Sequence, residues 1–380
     1  MIGFELSEEQ KALVETAHKF AENEIRPVAA KFDESGEFPY EVLKKAWETG
    51  LMGENVPVDN GGMGLGCLES VLIAEELYWG CAGIATSAVC NSLALGPIVI
   101  AGSPEQKEKF LRPFTESFKI ASFALTEPAS GSDVASMRTV YKKDGDGFVL
   151  NGSKQWITNA GYADLMTVFA SADPAKGAKA ISAFVVDAKA PGVIVGKKEH
   201  KLGQCASDTR AVTFENVRIP KENLLGAEGE GFKIAMKNLD KSRPGIGAAA
   251  VGLARAALEY SIQYAKERTT FGKPLAEHQA IQFMIADMAK AIEASRLLCW
   301  QAAWLGDQGR PNNKESAYAK CFASDTAMQV TTDAIQIYGG YGYSKEYPVE
   351  KLFRDAKLIQ IYEGANQIQR MVIAKHLLFK

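Results

Sequence analysis

Three stretches with different spacing of apolar residues follow one another along the 380 residues. Over residues 1–116 apolar positions recur at three and four residues, the period of a helix with one buried face. Helical runs are expected at Glu41–Glu48, Leu68–Trp79 and Glu105–Phe118, with Gly, Pro and Asn gathered between them, as in Pro57–Gly66. Ser7-Glu8-Glu9-Gln10 has the form of a capping box at the first helix start, and Pro27 ends or kinks that segment. From about residue 117 to 225 the pattern shortens. Asp144-Gly145-Asp146-Gly147 between two alternating runs predicts a hairpin, and Leu165–Ala170, Ile181–Val186, Val193–Gly196 and Ala211–Phe214 read as strands. Residues 226–380 return to long helices at Pro244–Arg268, His278–Gly306 and Glu315–Tyr338, rich in Ala and Met. The expected fold is mainly α with a central β domain: an N-terminal helical domain, a middle β-barrel or sandwich and a C-terminal four-helix bundle.

Composition narrows the classes. Apolar residues make up 47% and charged residues 23%, as in ordinary globular proteins. A net charge of −3 offers no general attraction to nucleic acid or to an anionic membrane. No apolar run reaches membrane-spanning length, since Gly96 and Pro97 interrupt Leu93–Ala101. The N-terminus has neither a secretory nor a transit layout, which fits a bacterial cytoplasmic protein or a mature mitochondrial matrix protein. Six scattered cysteines without a CxxC pair read as reduced thiols, and four dispersed histidines give no metal site.

Two glycine clusters invite a nucleotide reading. Gly61–Gly66 lacks the dinucleotide spacing and any following Lys-Ser/Thr, so it reads as an interhelical loop. Gly339-Gly340-Tyr341-Gly342 reads, by itself, as a helix C-cap. Four other segments carry candidate chemistry. Phe123 to Asp133 places hydroxyls, Gly and Pro after an apolar strand, where amides can turn toward a polar ligand; taken alone, the segment reads as an ordinary loop with Asx and Ser capping. Trp156, flanked by Gln155 and Thr158, is either core or a cover for a planar group. Arg243 and Arg268 suit phosphate oxygens, or ordinary surface ion pairs. Glu363, among Ile361, Tyr362 and Ala365, would gain a raised proton affinity if buried and could then exchange protons near neutrality; a solvated loop acid is the other reading.

Thr126-Glu-Pro-x-x-Gly-Ser-Asp, Trp156-Ile-Thr-Asn, Arg268-x-Thr-Phe-Gly-Lys, Gln336-Ile-Tyr-Gly-Gly, Tyr347-Pro-Val-Glu and Ile361-Tyr-Glu-Gly stand in one order. Together they resemble the acyl-CoA dehydrogenase family along essentially the whole chain, nearest its short- and medium-chain members. The resemblance implies an FAD-dependent oxidation of an acyl-CoA thioester to the 2-enoyl-CoA. Glu363 would be the catalytic base at C2, with hydride leaving C3 for flavin N5. Phe123, Leu125, Thr126, Ser132, Trp156, Ile157 and Thr158 would line the flavin. Arg268, Phe271, His278, Gln279, Gln336, Gly339 and Gly340 would hold the adenosine and pyrophosphate, partly across a subunit boundary, with Ala365 and Gln367 also on the cofactor side. Ser132, Asp240, Arg243 and Gly364 would contact the substrate. An electron-transferring flavoprotein would take the electrons, and a homotetramer would be the assembly.

The chain departs from the pattern at Ala365, where a Thr is common, which removes a minor cofactor contact that Asn366 would replace. The pocket floor is expected over Trp79–Leu95, where Ala85, Val89 and Cys90 are small or apolar. No Arg stands there to pair with a dicarboxylic substrate, so a neutral short, medium or cyclic acyl group is expected. Two alternatives keep the fold: a flavin-holding partner subunit without turnover, and an acyl-CoA oxidase. The retained Glu363 opposes the first. The lack of a long C-terminal extension opposes the second.

Overall fold

The computed structural model describes residues 4–379. Its first part is helical: α1 (Glu8–Phe20), α2 (Ala29–Ser35), α3 (Tyr40–Glu48), α4 (Cys67–Gly80), α5 (Ala82–Ala101), α6 (Pro104–Phe110) and α7 (Arg112–Glu116). The Ser7–Gln10 capping box forms at the start of α1. Pro27 sits in the distorted passage to α2, where one wide turn (Ala21–Ile25) and one tight turn (Arg26–Val28) bend the path. The Gly61–Gly66 segment is the loop that leads into α4.

Helix α5 departs from the sequence reading. It runs unbroken for 20 residues through Gly96 and Pro97, and among the described residues it is long and apolar enough to cross a membrane. Most of it is buried inside the molecule, so its apolarity is that of a core helix. The carbonyl that Pro97 leaves without its helical donor, that of Leu93, accepts instead from the Asn238 side-chain amide at 2.9 Å, and further bonds hold the helix from outside. Asn91 accepts from Ala121 N–H (2.8 Å) and donates to Lys119 O (2.8 Å), and Thr167 donates to Ala94 O (2.7 Å).

The middle part is an eight-stranded sheet. Its strands are β1 (Ala121–Ala124), β2 (Val140–Asp144), β3 (Gly147–Thr158), β4 (Leu165–Ser171), β5 (Ile181–Asp187), β6 (Val193–Lys198), β7 (Thr209–Ile219) and β8 (Leu224–Leu225). The order is β6-β7-β3-β2-β4-β5-β8, with β1 parallel to β4. Asp144 pairs with Gly147 across a two-residue turn in which Gly145 takes φ +61°, the conformation the Gly-rich hairpin signal requires. Alternation along β4 and β5 then decides the layers. Leu165, Phe169, Ile181, Ala183 and Val185 join a core with α5, α6 and the following long helix. Met166, Val168, Phe184 and Val186 join Tyr141, Phe148, Val212 and Phe214 of the opposite strands. Both faces are therefore dry, as in a curled sandwich.

The third part holds α8 (Gly231–Glu267), a small ribbon of β9 (Thr269–Thr270) and β10 (Lys273–Pro274), then α9 (Gln279–Asp307), α10 (Asn313–Tyr338), α11 (Val349–Ile359) and α12 (Asn366–Leu378). Helix α8 begins 13 residues before the Pro244 start expected from sequence, so Asp240, Ser242 and Arg243 ride on a helix. Proline in a helix interior normally marks a boundary. Here α8 is packed on several sides, against α4, α9 and α10, and tertiary contact overrides the local preference.

That packing is close because α8 carries small residues at its crossings. A Cβ at Gly252 would lie 2.0 Å from the Glu75 carbonyl oxygen of α4, and one at Gly247 would lie 2.6 Å from Cys299 Sγ of α9. We expect Gly252→Ala to force α4 and α8 apart and to lower unfolding stability by about 1–3 kcal/mol in chemical denaturation. A variant with wild-type stability would show that the crossing has slack.

Candidate active site

A cleft of about 700 Å³ opens where the three parts meet. Helices α4, α5 and α8, the ends of β1 and β3 and the turn between α11 and α12 all line it. Of the residues singled out from sequence, Phe123, Leu125, Thr126, Ser132, Trp156, Ile157, Thr158, Arg243, Glu363 and Gly364 stand on this wall.

Two local devices shape the β side. Between Lys154 and Ile157, β3 gains one residue against β7, a bulge that puts Trp156 at φ +62°. The indole is thereby turned out of the sheet and is 57% exposed, so it is not core. Beside it, the Thr126 segment is fixed from behind. Lys154, fully buried, donates to Leu125 O (3.0 Å) and Glu127 Oε1 (2.8 Å), and Glu127 also accepts from the amides of Arg138 (2.7 Å) and Thr139 (2.9 Å). Burial pulls the Lys154 ammonium down to about 8, while the Glu127 carboxylate opposes that pull. Gln155 N–H closes the arrangement on Thr126 O at 2.9 Å.

The helical side brings the acid. Glu363 lies in the turn after α11 at φ +51°, with Gly364 at φ +95°. A non-glycine residue in the left-handed region is strained, and such strain gathers at functional sites. Ser242 Oγ donates to Glu363 Oε2 at 2.5 Å. Loss of hydration inside the molecule raises the Glu363 pKa above the ordinary carboxylate range, against the pull of Ser242, Arg243 and Lys320. Arg243 is itself held by Asp240 (2.6 Å), whose other oxygen accepts from Asn313. Beyond Glu363, Tyr362 and Tyr78 hydroxyls stand 3.4 Å apart, and Tyr78 meets Thr86 at 2.8 Å. From sequence, Ser242 and Tyr78 were given no role, Thr86 fell only within the expected pocket floor, and Tyr362 stood only as part of the Ile361-Tyr-Glu-Gly motif. A hydroxyl residue in a helical run, such as Ser242, Tyr78 or Thr86, has no spacing that separates cleft wall from core.

The remaining sequence candidates lie elsewhere. Arg268, Gly339 and Gly340 line a second hollow of about 490 Å³ with Tyr264, Thr270 and Tyr341, and no residue lines both cavities. Gly339 is also the C-cap of α10, at φ +61°. His278 Nε2 lies 3.4 Å from the Thr270 hydroxyl. Phe271 is 97% exposed, and Gln279, Gln336 and Gln367 are exposed as well. Ala365 caps α12 at half-burial.

The cleft offers an outturned indole, hydroxyls at Thr126 and Thr158, and a desolvated carboxylate on the facing helical wall, a set that fits a planar redox cofactor and a substrate lying between. Family models agree along the chain: the acyl-CoA dehydrogenase N-terminal domain matches residues 7–117, the middle domain 122–217 and the C-terminal domain 229–378.

The chain belongs to the acyl-CoA dehydrogenase family.

The mitochondrial short-chain specific acyl-CoA dehydrogenase of Bos taurus is 49% identical over 375 residues, 98% of this chain and 91% of the relative. Butyryl-CoA dehydrogenase from Megasphaera elsdenii has a TM-score of 0.97 at 43% identity, covering 99% of this chain and 100% of that one. A chain from a structure described as the electron transferring flavoprotein of Acidaminococcus fermentans also reaches 0.97, at 44% identity with full coverage of both. Acyl-CoA dehydrogenases are FAD-dependent oxidoreductases of fatty acid β-oxidation, and this chain is an enzyme of that class.

The raised proton affinity of Glu363 has a consequence for stability. Its carboxyl ionises more readily in the unfolded chain, so folding is favoured below the unfolded pKa and loses ground as pH rises through the folded value. In the cofactor-free protein, Glu363→Gln is therefore expected to raise the thermal midpoint at pH 7 by about 1–4 °C, and not at pH 4. A lower midpoint at pH 7 would contradict the sign.

Proposed function

We propose that this enzyme dehydrogenates short, uncharged acyl-CoA thioesters between C2 and C3, with Glu363 as the base. One observation carries the reading. A desolvated carboxylate in a strained turn faces, across a single cleft, the wall that bears Trp156 and Thr158. When bound, FAD supplies the acceptor for the hydride that leaves C3.

The rest falls to the chain. Phe123, Leu125, Thr126, Trp156, Ile157 and Thr158 would hold the flavin ring on the β side, leaving the opposite side to the acyl group. Glu363 removes the C2 proton, a weak acid that needs a base kept from water and already aimed. The surrounding hydrogen bonds run from Ile361 and Tyr362 to Leu358 O and from Asn366 to Gln360 O. The Glu363 N–H takes no part in these bonds and is the donor suited to the thioester carbonyl, where charge develops. Ser132 at the mouth, with Asp240, Arg243 and Gly364, would position the CoA arm. Arg268, Phe271, His278, Gln279, Gln336, Gly339 and Gly340 would serve the adenosine and pyrophosphate of a neighbouring copy in a homotetramer, with Ala365 and Gln367 nearby.

Chain length follows from the helical wall. The hydrogen-bonded hydroxyls of Tyr78, Thr86 and Tyr362 set polar groups in the cleft beside Glu363. Burying a long alkyl chain against them gains less than burying it against hydrocarbon. The short-chain and butyryl specificities in the names of the relatives support the same choice. The electrons would pass to an electron-transferring flavoprotein, a partner suggested by the setting of the Acidaminococcus chain.

Steady-state turnover across acyl-CoA lengths should peak at about four carbons, and a maximum at eight or beyond would overturn the short-chain assignment. Glu363→Gln should keep the yellow flavin and bind substrate, yet lose roughly 10²–10⁴-fold in kcat. Anaerobic bleaching by butyryl-CoA at the wild-type rate would remove Glu363 from the mechanism.

A further inference from the structure

Lys320 is one of the largest fully buried side chains of the protein, and it does not line the cleft. It stands about two turns into α10, between Ala319 and Cys321. An ammonium taken from water costs several kcal/mol unless its protons find acceptors. Its acceptors here are neutral: Gly364 O at 2.9 Å and Asn366 Oδ1 at 2.8 Å. Among the described residues it has no ion pair within 4 Å. Of the charged groups around it, Glu363 acts on it most strongly, followed by Cys321, Arg243 and Asp325.

Both acceptors belong to the strained turn. Gly364 O also receives Gln369 Nε2 at 2.9 Å, so two buried donors fix the peptide that follows the acid. Asn366 opens α12 and is held in turn by Ser324 (2.9 Å) and Asp325 (2.7 Å). The bonds from Lys320 thus grip the chain one residue and three residues after Glu363. Left-handed backbone at Glu363 is strained and persists only where neighbours over-determine it.

We propose that Lys320 is a positioning residue for proton removal at C2, clamping the Glu363–Gly364–Asn366 turn from behind and setting a fixed positive charge beside the base. The inference rests on Glu363 being that base. Burial draws the Lys320 ammonium down to about 8, so it is mostly charged at neutral pH. Its charge and that of Arg243 on α8, with the Ser242 hydroxyl, favour the ionised form of Glu363 against desolvation. Tyr362 of the same turn, Tyr78 of α4 and Cys90 of α5 also face the carboxylate, and their own ionisation is suppressed by burial and by its charge.

The test is the pH profile of kcat/KM for FAD-loaded Lys320→Met. The activity of wild type falls on the acid side as the base takes its proton. Without the ammonium, that acid limb should move to higher pH by about one unit, and kcat at pH 7 should fall about tenfold with KM little changed. An FAD-loaded Lys320→Met with the wild-type limb overturns the proposal. Should that variant fail to take up FAD, Lys320→Arg decides. It keeps the charge and distorts the two short bonds, so the limb should stay while kcat drops several-fold; a wild-type kcat or a displaced limb overturns the clamp. Glu363→Gln run in parallel separates the two readings. If it retains activity the base assignment fails, and if it is inactive while Lys320→Met matches wild type, only the role of Lys320 fails.

Discussion

A carboxylate withdrawn from bulk water prefers to keep its proton, and the cleft is built around opposing that preference at Glu363. Desolvation raises the proton affinity, while the Ser242 hydroxyl, Arg243 and Lys320 lower it. None of these groups shares an element with Glu363. Ser242 and Arg243 come from α8, Lys320 from α10, and the acid from the turn after α11. The balance therefore exists only while α8, α10 and α11 stay packed at fixed separation. That makes the glycine and alanine seam along α8 a condition of this electrostatic balance as well as of the fold.

Strain is distributed in the same sense. Glu363 and Trp156 both occupy left-handed backbone, one on each side of the cleft. Each is over-determined by buried lysine chemistry nearby. Lys320 fixes the peptide after Glu363, and Lys154 with Glu127 anchors the Leu125–Glu127 segment next to Trp156. Buried ion pairs and ammonium groups are poor sources of net stability. Their presence here is better understood as the means of holding two unfavourable conformations that face each other.

The order of helical, β and helical parts was legible from the change in apolar period along the chain, and the hairpin from Asp144–Gly147. The ordered motifs named the family. Other features were hidden for identifiable reasons. Pro244 and Pro97 signal helix ends locally, and only tertiary packing carries α8 and α5 past them. The outward turn of Trp156 depends on a bulge, a difference of one residue between two strands that neither strand reveals alone. The Glu363 turn was read as a candidate acid, but its raised proton affinity required burial that sequence cannot supply. Lys320 carried a usable signal that went unread: it falls on the stripe of Ser316, Ala317, Ala323 and Ser324, where a charge on a buried helix face calls for a partner.

Helix α8 also acts as a ruler. Ser242 touches Glu363 about a third of the way along it, and Arg268 caps its C-terminal end at the second hollow, 26 residues further on. At 1.5 Å per residue the two points are roughly 39 Å apart. No residue lines both hollows, so the Glu363 cleft and the Arg268 hollow are two distinct recesses carried on one rod. Packing against α4, α9 and α10 keeps that rod straight and its length fixed, so the two recesses hold a set distance that neither can change alone.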